Sequence, residues 1–123
     1  MKAPMNLKRM AKDNKAFRHV IDTGKSAQMV LISLRKGEDL GDEIHPTTDE
    51  LYYVVEGEGE IRIDGKPYPF TENSVVLVPA GLRHDVFNTG KDDLKLFAMF
   101  TSPLYKPDEM IMSREKALAS GKH

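Results

Sequence analysis

Residues 41–57 read GDEIHPTTDELYYVVEG, and residues 73–88 read NSVVLVPAGLRHDVFN. Both stretches combine a strand-like run with a turn, and both carry side chains of the kind that bind metal ions. These side chains are Glu43, His45 and Glu50 in the first stretch and His84 in the second. Hairpin-like sequence separates the two stretches. Whether these distant side chains form a single site depends on whether the fold brings the two stretches together.

Short runs of β-forming residues, separated by turn residues, extend from about residue 17 to about residue 101. About eight such runs recur at the spacing typical of an all-β sandwich or barrel. Asp64-Gly65 is a strong signal for a two-residue hairpin turn. The run from Val75 to Val78 is apolar enough to predict a strand buried on both faces.

Two short helices are predicted outside this β-rich region. Residues of about 5–16 carry apolar side chains at helix-like intervals among charged neighbours. The second helix is predicted at about residues 113–120. It begins at Ser113, a good N-cap, and Gly121 suits the position after its end. We expect the first helix to pack its methionines against a sheet, and the second to pack on the outside of the barrel or on a partner subunit, or else to be frayed.

Length and composition favour one small domain. The 123 residues are predicted to form a single domain, 1–123, with its barrel core at about 17–101. The net charge of −1 is spread along the chain, so no basic block predicts a nucleic-acid partner. No apolar run approaches the roughly 20 residues that a membrane span requires. We expect no membrane partner and no secretory signal.

Cysteine is absent. This excludes a disulfide framework, a thiolate metal site and a cysteine nucleophile, and it fits a reducing compartment. We therefore expect a cytoplasmic protein.

The first stretch predicts three metal ligands. His45 precedes Pro46, and a residue before proline avoids helical geometry, so His45 is expected in extended backbone. Residues two apart on an extended chain share a face, which places Glu43 beside His45. Glu50 begins the next strand and shares its inward face with Tyr52. A carboxylate buried there is costly unless it is paired or bound to metal.

The second stretch predicts the fourth ligand. His84 follows the turn at Pro79-Ala80-Gly81 and shares a face with Val86, so its imidazole is expected to point inward from the opposite sheet. Two carboxylates and two imidazoles without sulfur suit Mn²⁺, Fe²⁺ or Ni²⁺, and Zn²⁺ also fits. Glu43 and Glu50 are candidate general bases wherever they are not firmly bound to the metal.

The spacing of these residues resembles the paired motifs of the cupin superfamily. The first cupin motif has His-x-His, then a glutamate and a glycine, and this chain has Glu43-x-His45, Glu50 and Gly57. The second motif has a glycine, Pro-x-Gly, a histidine and an asparagine. The chain matches the second motif with Asn73, Pro79, Gly81, His84 and Asn88.

The resemblance implies a double-stranded β-helix, which is a jelly-roll β-barrel. It is closest to small single-domain cupins, many of which carry the label mannose-6-phosphate isomerase-like. Glu43 stands where the first histidine of the family stands. Asn73 stands where a turn glycine stands, and asparagine tolerates the left-handed geometry that such a turn needs.

Two classes of function fit this site. The first is a metal-dependent enzyme acting on a small oxygenated molecule such as a sugar, a keto acid or a carboxylic acid. Isomerisation, decarboxylation and oxygen insertion all suit such a centre, and the fold does not choose between them. The second is a non-catalytic module that senses a small molecule or a metal. The resemblance also implies a homodimer. The sheet edge expected near Ala27 to Leu34 is unprotected, and a second copy of the chain would cover it.

Overall fold

The computed structural model describes residues 1–119. Within this range two antiparallel sheets face each other, and a short helix lies near each end of the chain. The elements are α1 (Leu7–Asp13), β1 (Arg18–Thr23), β2 (Gln28–Leu34), β3 (Asp49–Glu56), β4 (Glu58–Ile63), β5 (Lys66–Thr71), β6 (Val75–Val78), β7 (His84–Asn88), β8 (Leu94–Thr101), β9 (Met110–Ile111) and α2 (Arg114–Ala119).

The larger sheet has the strand order β6-β3-β8-β2-β1-β9, and the smaller sheet has the order β5-β4-β7. The core lies between them. Val54, Leu96 and Phe100 of the larger sheet meet Ile61 and Val86 of the smaller one, and all five are buried. Full burial of side chains of this size contributes roughly 1.5–3 kcal/mol each. The all-β, two-sheet jelly roll expected from the sequence is confirmed.

Strand β3 alternates as the sequence predicts. Glu50, Tyr52 and Val54 are buried on the inward face, whereas Leu51 and Tyr53 are half-buried on the outer face. This alternation matters for function because it sends the Glu50 carboxylate into the interior of the barrel.

Strand β6 differs from its prediction. Val75 and Leu77 expose 61% and 62% of their surface instead of being buried. The strand lies at the end of the larger sheet and pairs with β3 on one side. Its inward residue Val78 joins the core, while Val75 and Leu77 project from the outer face.

The N-terminal helix is shorter than the predicted 5–16. It spans Leu7–Asp13 because it is capped by Asn6 at its start and by Asn14 at its end. The Asn6 side chain accepts a hydrogen bond from the Arg9 amide (2.9 Å), which is the usual N-cap contact. Asn14 has extended backbone, and its side-chain oxygen accepts from the Ala16 amide at 3.1 Å. Such a local contact competes with helix continuation.

The far end of the chain adds a strand that the sequence pattern did not reveal. Strand β9 is two residues long and pairs with β1. Helix α2 begins after Ser113, whose hydroxyl accepts from the Lys116 amide at 3.2 Å, as expected of an N-cap. The prediction for Gly121 falls outside the described residues.

The prediction of an exposed sheet edge near Ala27 to Leu34 is wrong. Strand β2 lies between β8 and β1 and pairs with both. The ends of the larger sheet are β6 and β9 instead.

Two predicted turns have the expected geometry. Asp64 and Gly65 both have positive φ, 51° and 82°, as a tight hairpin turn requires. Asn73 has φ 70°, so it adopts the left-handed conformation of the glycine that it replaces. In residues 1–119, no helix has the length and apolar character needed to cross a membrane.

Candidate metal centre

A pair of backbone hydrogen bonds joins the two motif stretches. The Glu43 amide donates to the His84 carbonyl, and the His84 amide donates to the Glu43 carbonyl, both at 3.0 Å. Glu43 therefore forms an isolated antiparallel bridge with His84, outside the named strands. The bridge fixes Glu43 directly opposite His84, so their side chains enter the barrel together.

Three of the four predicted ligands form a group compact enough for one cation, and His45 contacts two of them. One ligand atom from each of Glu43, Glu50 and His84 lies within 4.8 Å of the others, a spacing that suits a single cation. The His84 Nε2 atom is 2.8 Å from Glu50 Oε2 and 3.7 Å from Glu43 Oε1.

His45 joins this cluster from the first stretch. Its Nε2 atom is 3.2 Å from Glu43 Oε2 and 3.4 Å from Glu50 Oε1. The ring centroids of His45 and His84 are 6.2 Å apart. The two imidazoles of distant stretches thus meet over the same pair of carboxylates.

The cluster is deep on one side and more open on the other. Glu50 and His84 are each 1% exposed, whereas the His45 side chain is 19% exposed. Buried carboxylates are costly unless a positive charge or hydrogen bonds compensate them. Because His45 is the most exposed of the four side chains, it lies on the side from which the site is most accessible.

The His84 ring has a defined orientation. Its Nδ1 atom lies 2.9 Å from the Leu82 carbonyl oxygen, which can only accept a hydrogen bond, so Nδ1 carries a proton. This leaves Nε2 to face the carboxylates. Metal-binding histidines commonly have this arrangement, with the outer nitrogen donating to a carbonyl and the inner nitrogen free for the ion.

The carboxylates shift the protonation of both histidines. Burial alone lowers the pKa of His84, but the adjacent carboxylates of Glu43 and Glu50 outweigh burial and raise this pKa to about 10. The contact with Glu43 raises the pKa of His45 as well. Without a metal, a proton on each imidazole balances part of the negative charge.

Glu43 is ionised despite its burial. Burial raises the pKa of its carboxyl, but the contacts with His45 and His84 reverse that effect, and the pKa is lowered overall. Glu43 is therefore a charged carboxylate at neutral pH.

Tyr52 also contacts this cluster, although the sequence only placed it on the inward face with Glu50 and assigned no role to its hydroxyl. Its hydroxyl donates to Glu50 Oε1 at 3.0 Å and lies 3.4 Å from His84 Nε2. Burial and the neighbouring Glu50 charge raise the pKa of Tyr52 well above its ordinary value, so it remains a donor. Its position two residues after Glu50 on the inward face was the available signal.

The donor set fits a divalent cation. Apart from Glu50 Oε1, which is 3.4 Å from His45 Nε2, the buried atoms Glu43 Oε2 and His45 Nε2 have no polar partner at hydrogen-bond distance within the described chain except each other, at 3.2 Å. These two atoms face each other, and a cation between them would satisfy both. Two oxygen and two nitrogen donors suit Mn²⁺, Fe²⁺, Ni²⁺ or Zn²⁺.

A second wall of the interior adjoins this cluster. A small cavity is bordered by Glu43 and Tyr52 on one side and by Arg18 and Tyr105 on another. The Arg18 guanidinium lies 3.9 Å from the centre of the Tyr105 ring and pairs with Glu109 at 3.0 Å. Sequence reasoning missed Arg18 and Tyr105 because they lie outside both motif stretches.

The chain belongs to the cupin family: the Cupin_2 family model, described as a cupin domain, matches residues 30–100. The residues that form the cluster all lie within that range.

The chain is also similar to individual proteins. The crystal structure of BH2720 from Bacillus halodurans has a TM-score of 0.95 and 31% identity, covering 97% of this chain and 95% of that one. YrkC of Bacillus subtilis is 38% identical over 80% of this chain and 56% of its own length. An oxalate-binding protein of Thermotoga maritima is 31% identical over 61% of this chain and 62% of its own length. The chain thus spans little more than half of some curated relatives.

Proposed function

We propose that this protein binds a divalent metal ion and acts on a small oxygenated molecule, such as a sugar, a keto acid or a carboxylic acid. One observation carries the proposal. Glu43, Glu50 and His84 come together in the interior with His45 beside them. Among the described residues, Glu43 Oε2 and His45 Nε2 have no partner there except each other, at 3.2 Å, and the nearby Glu50 Oε1. Burying such a set without a ligand would be costly.

Glu43, His45, Glu50 and His84 would hold the ion. When bound, the ion supplies polarisation of a carbonyl or hydroxyl oxygen of the ligand. The chain's own side chains contribute proton transfer and orientation. Tyr52 holds Glu50 in place through its hydroxyl.

Of the two candidate general bases, Glu43 is better placed than Glu50. Both Glu50 oxygens are engaged, one by the Tyr52 hydroxyl and the other by His84. The Oε2 atom of Glu43 has only the contact with His45, at 3.2 Å. The lowered pKa of Glu43 keeps it ionised at neutral pH but also makes it a weak base, so it would accept a proton only where it is not firmly bound to the ion.

The oxalate-binding relative supports a small carboxylic acid as the ligand class. It also supports a second candidate, a non-catalytic module that binds a small molecule or a metal. The narrow space beside Glu43 and Tyr52 favours this alternative, because it leaves little room for a reacting substrate to rearrange.

Metal analysis of protein purified without chelator tests the site. We expect about one divalent ion per chain. The His84→Gln variant should lose most of it, because His84 is a buried ligand. The matched control is His19→Gln, since His19 lies on β1 outside the cluster. Equal metal content in all three proteins, or none in the wild type under metal supplementation, contradicts the proposal.

Turnover assays then separate the two candidates. Sugar phosphates, keto acids and dicarboxylates would be offered to metal-loaded protein in air and under nitrogen. Turnover that requires oxygen identifies an oxygenase, and turnover under both conditions indicates an isomerase or decarboxylase. Binding without any turnover supports the non-catalytic module.

We further propose a cytoplasmic homodimer. The lack of cysteine supports the compartment. The exposed side chains of Val75 and Leu77, next to Leu51 and Met99 on the outer face of the larger sheet, support association with a second copy.

A further inference from the structure

The segment between β8 and β9, residues 102–109, is anchored to the barrel by one buried side chain. Gln28 is fully buried at the start of β2. Its Oε1 atom accepts from the Leu104 and Tyr105 amides at 3.1 and 3.0 Å. Its Nε2 atom donates to the Tyr105 carbonyl at 2.8 Å and to the Thr23 hydroxyl at 3.0 Å. Both ends of the amide are thus used, and three of the four bonds hold the segment.

This anchoring fixes the Tyr105 ring inside the barrel. The ring packs edge-on against Phe100, with centroids 5.7 Å apart, and its face is covered by the Arg18 guanidinium at 3.9 Å. Burial and the nearby Glu43 charge raise the pKa of its hydroxyl, which agrees with a position close to the cluster. Gln28 holds the backbone of Tyr105 while Arg18 and Phe100 hold its ring.

The space left beside Glu43, on the side of the cluster that faces Tyr105, is very small. The cavity bordered by Glu43, Tyr52 and Tyr105 measures about 10 Å³, which is room for about one water molecule. A ligand of several carbon atoms cannot occupy it while the Tyr105 ring stands where it does. Removing that ring would enlarge this space and no metal ligand would be lost.

We propose that Tyr105 determines the size of the ligand admitted beside the metal centre, and that Gln28 is the positioning residue that holds Tyr105 there. The inference rests on the proposed metal-binding function. It narrows the ligand class to the smallest carboxylates, with formate as the smallest. If Tyr105 served only to fill the core, its loss would lower stability without changing which ligands bind.

Cobalt-loaded protein provides the test, because the visible spectrum of Co²⁺ reports a change in its ligands without requiring turnover. The probes are formate, acetate, propionate and benzoate. In the wild type we expect affinity to fall at least tenfold from formate to propionate, with no response to benzoate. In Tyr105→Ala this discrimination should shrink at least tenfold, and benzoate should alter the spectrum.

Gln28→Ala should shift selectivity in the same direction as Tyr105→Ala, because it releases the backbone of residues 104 and 105. Tyr68→Ala is the matched control, since Tyr68 is an exposed tyrosine on β5 of the smaller sheet. It should retain the wild-type profile. If Tyr105→Ala does not fold, Tyr105→Leu keeps an apolar side chain while removing the ring.

Two failures are distinguishable. If the wild type takes up no Co²⁺, the proposed metal centre is wrong and the inference falls with it. If Co²⁺ loads but the folded Tyr105 variant has the size profile of the wild type, including no response to any probe, the inference alone is overturned.

Discussion

His84 illustrates how one residue links the fold to the chemistry of the site. Its Nδ1 atom is committed to the Leu82 carbonyl, and its Nε2 atom faces Glu50 at 2.8 Å. With no metal, a proton on Nε2 occupies the position that a cation would take. Metal binding at neutral pH should therefore release that proton.

This arrangement predicts a pH dependence of stability for the metal-free protein. The pKa of His84 is raised from 6.5 to about 10, so its stabilising contribution is complete below pH 6.5 and is lost as the pH rises toward 10. We expect the free energy of unfolding in EDTA, measured by urea titration, to fall between pH 7 and pH 9.5. With bound metal the decline should be reduced, because the ion replaces the proton.

The control must separate His84 from Asp85. Burial and the neighbouring Asp39 raise the pKa of Asp85 to about 8, so Asp85 also lowers stability as the pH rises from 3.8 toward 8. His84→Gln retains Asp85 and should have a flatter profile above pH 8. Parallel profiles for wild type and variant in that range would contradict the assignment.

At the scale of the elements, the turn between β3 and β4 explains the glycine that closes the first motif. Gly57 has φ 107°, a conformation that other residues rarely adopt. A Cβ atom at this position would lie 2.9 Å from the Asp93 carbonyl oxygen. The turn thus requires glycine for both its backbone angle and the close approach of the chain before β8.

Gly57→Ala should accordingly destabilise the protein strongly. Strain and the contact with Asp93 together are expected to cost about 3 kcal/mol or more. The matched control is Gly37→Ala, because Gly37 also has positive φ (79°) but no atom within 4 Å of the added Cβ. It should cost only about 1–2 kcal/mol. Equal losses of unfolding free energy for both variants would show that the close approach is unimportant.

At the scale of the whole molecule, the two faces of the larger sheet have different roles. The inward face carries Glu50 and Tyr52 into the site. The outer face is apolar, and α1 packs against part of it through Met10 and Ala11. Leu77 lies outside that part and is highly exposed.

We predict that this surface mediates dimerisation. Light scattering after size exclusion should give a mass near twice the 13.9 kDa of the chain. Leu77→Glu should yield a monomer, because a charge buried in an apolar interface is costly. Tyr68→Glu alters an exposed residue of the smaller sheet and should leave the dimer intact. A monomeric wild type at all concentrations would refute the prediction.

The sequence predicted most of the strands, the turns at Asp64-Gly65 and Asn73, and the clustering of Glu43, His45, Glu50 and His84. These features follow from local rules. Side chains alternate along a strand, and glycine and asparagine are favoured where φ is positive. Glu50 could be placed on an inward face for this reason alone.

The tertiary structure decided what depends on contacts between residues far apart in the chain. The bridge between Glu43 and His84, the burial of Gln28 against residues 104 and 105, and the exposure of Val75 and Leu77 each depend on which strand lies next to which. Local propensity carries no information about that order. The sequence of an apolar strand such as β6 gives the same pattern whether the strand lies at the edge or in the middle of a sheet. Only the neighbouring strands decide which of these positions it takes.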